Sequence, residues 1–223
     1  MIPIDTIVVP QGSEHQAVCR GLKKAHAKDI QIISIPIGTK NIKQTLASHS
    51  GKLRNVQNIL ILGLCGSLSK QYSVTDIILY KTCWDINRQS VNLESELTTA
   101  IRQKLSIDLI NGLTSDRIIY QATEKLKLSQ TYPVDVVDME GYDYIKEFQQ
   151  RNINVAMLRI VSDDIIGDIP DLSVAIDKNG NFKTLPMAIA FLQQPIAASR
   201  LIKGSLRGLK VLKEITYKLF CTP

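Results

Sequence analysis

Apolar residues recur along this chain at two spacings, and the alternation between them predicts an α/β fold. Short apolar or β-branched runs read as strands: Ile4–Pro10, Ile30–Ile37, Val56–Leu62, the VTDIILYK segment 74–81, Val134–Val137 and Val155–Val161. Val56–Leu62 is the most apolar stretch and predicts a central strand. Val155–Val161 is nearly continuous in apolar residues, the form of a strand covered on both faces. Three- and four-residue spacings predict helices over Glu14–Ala25 (Ala17, Val18, Gly21 and Leu22 on one face), Asn41–Ser50 and Leu93–Leu105. Another follows Asp138, carries Tyr142, Ile145 and Phe148, and ends at Asn152. Ser13 and Asp138 are placed to cap their helices by accepting first-turn amides. The Asp-, Pro- and Gly-rich segment Ile165–Gly180 predicts a mobile loop. From Leu185 onward the pattern is helical apart from Pro195, with Ile202, Leu206, Leu209, Leu212 and Phe220 on one stripe and Lys203, Lys210 and Lys218 off it.

Composition narrows this picture. A chain of 223 residues, 44% hydrophobic and 22% charged, fits one α/β domain over 1–223 that buries a full core without disulfides. Its four cysteines have no CxxC spacing and there are three histidines, so buried free thiols are expected and no metal site. The net charge of +6 is concentrated beyond Pro170, where Lys and Arg outnumber Asp and Glu. From Arg200 onward only Tyr217 and Phe220 interleave with those cations, which predicts a solvated helix face and not a nucleic-acid surface. A basic amphipathic helix can lie on a membrane, but a terminal helix packed on the sheet is the commoner arrangement. No apolar run approaches the roughly 20 residues that span a bilayer. The opening MIPIDTIVVPQG lacks the form of a signal peptide, so a cytoplasmic location and no membrane insertion are expected.

Candidate chemistry gathers between Val134 and Asp164, VDVVDMEGYDYIKEFQQRNINVAMLRIVSDD, read as strand, helix and strand. Glu140 falls in a helix first turn, where the dipole favours its charge. Asp163 falls just past the C-terminal edge of a strand, where open α/β folds place their ligands. Taken alone, the segment reads equally as a structural unit with an acidic cap and a solvated loop. Two glycine-bearing turns accompany it, Gly38-Thr39 after the second strand and Gly63-Leu64-Cys65-Gly66-Ser67-Leu68 after the central one. Glu14 is the only acid in the loop after the first strand, and Asp116-Arg117 reads as a surface turn pair.

Met139-Glu140-Gly141, followed by Leu158-Arg159-Ile160-Val161-Ser162-Asp163, resembles the MEA…RxxSD signature of the superfamily of purine nucleoside phosphorylases, uridine phosphorylases and methylthioadenosine/S-adenosylhomocysteine nucleosidases. The resemblance implies a three-layer α/β/α fold around a mixed, twisted sheet and an enzyme that cleaves N-glycosidic bonds without a cofactor. It assigns Glu140 to the ribose hydroxyls, Met139 to the face of the sugar, Asp163 to proton donation at purine N7, and Ser162 to a place beside that acid. Gly63, Leu64, Cys65 and Gly66 match the loop near nucleophile and sugar. Ile118, Ile119 and Tyr120 match the base pocket, and Glu14 the acid that activates water in the nucleosidases. The sequence departs from the pattern at Leu64, where the family has Ser, at Ile61, where the phosphorylases have Arg, and at Ile118 and Ile119, where a stacking aromatic is usual.

Breaking such a bond requires that the leaving base be neutralised and that positive charge on the sugar be stabilised. Asp163 would have to hold a proton, which the like charge of Asp164 favours. Without cations at the usual loops, water is the preferred acceptor. Phosphate is the alternative if Arg117, Arg159 or an arginine of a second subunit supplies them. A non-catalytic nucleoside-binding protein is the third reading. The resemblance further implies a homodimer or larger homo-oligomer with a small-molecule nucleoside as partner. The long helical tail is also similar to that of the hopanoid-associated phosphorylase-like proteins, which implies a larger or lipid-linked nucleoside.

Overall fold

Two ten-residue strands, β3 (Asn58–Ser67) and β8 (Asn154–Asp163), form the spine of the molecule, parallel from Asn58 beside Asn154 to Gly66 beside Asp163. The computed structural model describes residues 2–38, 42–177, 181 and 183–221. Outward from β3 lie β1 (Thr6–Pro10) and then β2 (Gln31–Ile35), both parallel. On the other flank β8 pairs antiparallel with β4 (Ile77–Asp85), which carries the edge hairpin strand β5 (Ser90–Asn92) and the parallel β6 (Leu109–Thr114). The short β7 (Val136–Asp138) bridges β6 to the far end of β3. Strands β3, β7, β6, β4 and β8 thus close a circuit within an eight-stranded mixed sheet.

Helices cover both faces, as the strand pattern requires. Along β3, Ile59 and Ile61 face one way and Leu60 and Leu62 the other, the period-two alternation of a strand buried on both sides. The first pair packs with Leu46 of α2 (Ile42–Ser48), Leu53 of α3 (Ser50–Leu53) and Tyr142, Ile145 and Phe148 of α6 (Gly141–Gln149). The second packs with α1 (Ser13–Lys24), α4 (Glu96–Leu105) and α8 (Pro195–Phe220) through Leu22, Ile101, Leu212 and Ile215. Ser95 caps α4, its side chain accepting from the Thr98 amide. Among the described residues no helix is long and apolar enough to cross a membrane.

Several local expectations are corrected. The segment Gly63–Ser67 is not a turn; β3 runs straight through it, with a bulge beside Cys65 and Gly66. Asp163 closes β8 and does not follow it. Ser13 makes no cap, since α1 begins at Ser13 behind Gly12. Helix α5 (Ala122–Thr131) has no counterpart among the expected elements, because its apolar residues trace no clear stripe. Segment 165–177 is tied down: Ile169, Leu172 and Ala175 are buried and the Ile169 amide donates to the Tyr120 carbonyl. Thr39, Asn41 and Gly180 lie outside the described residues. Helix α8 packs on α1 and β8, but through Ala198, Gly204, Gly208, Leu212, Ile215 and Leu219. Ile202 and Leu206 of the expected stripe are 43% and 63% exposed.

Candidate active site

At the end of the sheet where β3 and β8 stop, a cavity of about 510 Å³ opens. Its floor is polar, made by Glu14, Asp138, Glu140, Ser162 and Asp163. Its roof is apolar and comes from Ile118, Ile169, Leu172, helix α7 (Thr184–Gln193) through Met187 and Phe191, and the first half of α8.

Glu140 stands at the turn between β7 and α6, where Asp138 fixes the backbone. Asp138 Oδ1 accepts from the Glu140 and Gly141 amides (3.0 and 2.8 Å) and from the Thr114 hydroxyl (2.9 Å), and Oδ2 accepts from the Tyr80 hydroxyl (2.8 Å). Asp138 therefore does accept from the amides that open α6, although Glu140 occupies the capping position. The Glu140 carboxylate accepts from the Gly38 amide at 3.0 Å and from Arg159 Nη2 at 3.0 Å. Gly38 presents that amide at φ +76°, a conformation that favours glycine. Burial pushes the Glu140 carboxyl up, against the pull of Arg159.

Arg159 points from β8 into a fully enclosed space between two glutamates. Burial opposes its charge, yet Asp138 and Glu140 together hold it more firmly protonated than an ordinary arginine. Among the described residues its Nε and Nη1 find no hydrogen-bond partner. This arrangement explains the first glycine of the β3 segment: a Cβ on Gly63 would lie 1.9 Å from Arg159 Nη1 and 2.8 Å from Glu14 Oε1. A Cβ on Gly66 would meet the Asp163 carboxylate at 2.8 Å. These glycines clear room for side chains and are not there to bend the chain.

Glu14, in the first turn of α1, accepts from the Leu64 amide at 2.7 Å. The residue keeps some exposure, but its carboxyl end is enclosed. Burial, opposed by Arg159 and reinforced by Glu140, pushes that carboxyl up to about 7. Asp163 Oδ1 accepts from the Ser162 hydroxyl at 2.9 Å. Its Oδ2 accepts from the ammonium of Lys125, a fully buried residue of α5 that also donates to the Asp164 carbonyl at 2.9 Å. The Asp164 side chain is turned to the Ile166 amide, so a cation and not a second carboxylate faces Asp163.

The fold thus brings Glu14, Met139, Glu140, Ser162 and Asp163 to one cavity, with Leu64, Cys65, Gly66, Ile118 and Ile119 also lining it. Gly63 lies just behind, against Arg159. Tyr120 does not line it; its segment is held through its carbonyl at Ile169. Arg117 does, but its guanidinium is paired with Glu124. Lys125 and Asp138 are site residues that sequence reasoning misses. Asp138 leaves a faint signal, an acid closing a β-branched run, whereas Lys125 leaves none.

Fold and cavity together define a three-layer α/β protein with carboxylates gathered at one end of a mixed sheet. The phosphorylase superfamily matches residues 7–182, and the chain belongs to that family, a family of enzymes that cleave N-glycosidic bonds. Solved structures agree on the fold. One is a mutant of the Helicobacter pylori methylthioadenosine nucleosidase with 5′-methylthioadenosine in its active site. It is 16% identical with a TM-score of 0.63 over 95% of this chain and 97% of that one. The futalosine hydrolase of the same organism gives the same values. A Francisella philomiragia protein described as a putative methylthioadenosine/S-adenosylhomocysteine nucleosidase is 15% identical with a TM-score of 0.66, covering 97% and 98%. No curated protein matches the chain.

Proposed function

We propose that this protein hydrolyses the N-glycosidic bond of a purine nucleoside of the adenine type. The observation that carries this reading is the convergence of three carboxyl groups, Glu14, Glu140 and Asp163, on one cavity that is polar below and apolar above. Glu140, fixed by Gly38 and Arg159, takes the ribose hydroxyls and faces the sugar as positive charge develops there. Met139 packs against the sugar. Asp163 addresses the leaving base between the walls made by Ile118 and Ile119. Glu14, poised about 7, is suited to take a proton from water, because a base works best when its pKa lies near the working pH.

Water is favoured over phosphate on electrostatic grounds. Three cations at or beside the cavity are each paired with a carboxylate: Arg159 with Glu140, Lys125 with Asp163, and Arg117 with Glu124. An anion approaching Arg159 would also meet Glu14 and Glu140. The apolar roof of Leu172, Met187, Phe191 and Leu206 supports a nucleoside carrying an apolar substituent. Adenine release from methylthioadenosine, S-adenosylhomocysteine and adenosine, with and without phosphate, tests the proposal in wild type and Asp163→Asn. Release without phosphate that the variant abolishes is the expected result. Release only with phosphate would replace hydrolysis by phosphorolysis. Absence of release in both would leave a binding role.

A further inference from the structure

Helix α5 docks onto the body of the protein in an unusual way: its one fully buried side chain is Lys125, while Leu126 is 45% exposed. Burying an ammonium against a carboxylate is a poor route to stability, since desolvation cancels much of the attraction. The Lys125 ammonium meets Asp163 Oδ2 and the Asp164 carbonyl and is sealed from solvent. Asp163 Oδ1 is taken by the Ser162 hydroxyl, whose other neighbour is the Cys65 carbonyl at 3.2 Å. Among the described residues, the protons within reach of the Asp163 carboxyl are therefore those of a hydroxyl and those of an ammonium. The ammonium is much the more acidic of the two.

We infer that Lys125 supplies, through Asp163, the proton that neutralises the departing base, an inference that rests on the glycosidase reading above. As the C1′–N bond breaks, its electron pair stays with the base. Asp163 gives a proton to a base nitrogen, and Lys125 Nζ gives one to the same carboxyl. Lys125 ends as a neutral amine beside the Asp163 carboxylate. The attacking water places its hydroxyl on C1′ and its other proton on Glu14; exchange with solvent restores Glu14, and a proton returning through Asp163, which lines the cavity, restores Lys125. Lys125 touches no substrate atom; it is a positioning and proton-supplying residue that acts through Asp163.

The test compares a purine nucleoside, whose base must be protonated to leave, with p-nitrophenyl riboside, whose phenolate leaves without a proton. In Lys125→Met, kcat for the purine nucleoside falls by roughly 10²–10⁴-fold, the range of a lost acid–base contribution. KM holds, and turnover of the nitrophenyl riboside is retained, which also shows that the variant folds. Lys125→Arg, which keeps a cation beside Asp163, recovers part of the lost rate. Equal losses on both substrates, or full purine activity in Lys125→Met, would overturn the inference and leave the glycosidase reading standing. Wild-type protein that cleaves neither compound would overturn both.

Discussion

Replacing Glu14 by Gln separates the chemistry of this carboxyl from its effect on stability, because the two move in opposite directions. The Glu14 carboxyl titrates near 4.5 when free and near 7 in the fold, chiefly because burial penalises its charge. A group whose folded-state pKa is raised binds its proton more tightly when folded, so stability falls as pH rises between the two values. At 1.36 kcal/mol per unit, the folded state loses about 3 kcal/mol between pH 4.5 and 7 by having to ionise Glu14. Gln keeps the shape and still accepts from the Leu64 amide, but carries no charge. Glu14→Gln should therefore unfold at higher urea than wild type at pH 8, by up to about 3 kcal/mol, and should match it near pH 4. Turnover should go the other way: wild-type kcat/KM rises with pH and levels off above about 7 as the base ionises, while the variant loses that limb and roughly 10²–10⁴-fold of rate. Urea titrations at the two pH values and a pH–rate profile measure both. A variant destabilised at pH 8, or one that keeps the wild-type profile, would refute the account of Glu14 as a buried, poised base.

Two further substitutions probe the floor of the cavity. Gly63→Ala puts a methyl group where Arg159 and Glu14 already stand. The resulting overpacking costs about 1–3 kcal/mol of stability, read by urea unfolding, and turnover drops steeply as Arg159 leaves Glu140. Asp138→Ala strips partners from two buried hydroxyls and two amides, at about 1–3 kcal/mol for each group left unpaired. Its thermal midpoint should fall by more than that of any other single-residue change at the site.

The strands and most helices were legible because apolar periodicity reports burial directly. The Leu60/Leu62 and Ile59/Ile61 alternation is written into the chain. The acids were legible through short motifs around Glu140 and Asp163 and through the isolation of Glu14. What escaped was governed by distant partners. Gly63 and Gly66 look like turn residues locally, and only the side chains of Arg159 and Asp163, some hundred positions away, show why a strand lacks Cβ atoms there. Lys125 sits among Glu124, Leu126 and Lys127, and nothing local separates it from its solvated neighbours. The roof residues Ile202 and Leu206 share the helical period of Leu212, so spacing alone could not say that α8 changes from lining a cavity to filling a core along its length.

The sealed charge of Arg159 has a consequence for how the chain finds its alignment. On β8, Val155, Met157 and Val161 face the α6 side of the sheet, with Arg159 in phase between them, while Ala156, Leu158 and Ile160 face α1 and α8. Sliding β8 by one residue along β3 would exchange the two faces. The guanidinium would then stand among leucines with no carboxylate near it, and Glu14 and Glu140 would lose their shared cation. Two long apolar strands that would otherwise tolerate several offsets are thereby keyed to one, and misalignment carries the cost of an unpaired ion in the core.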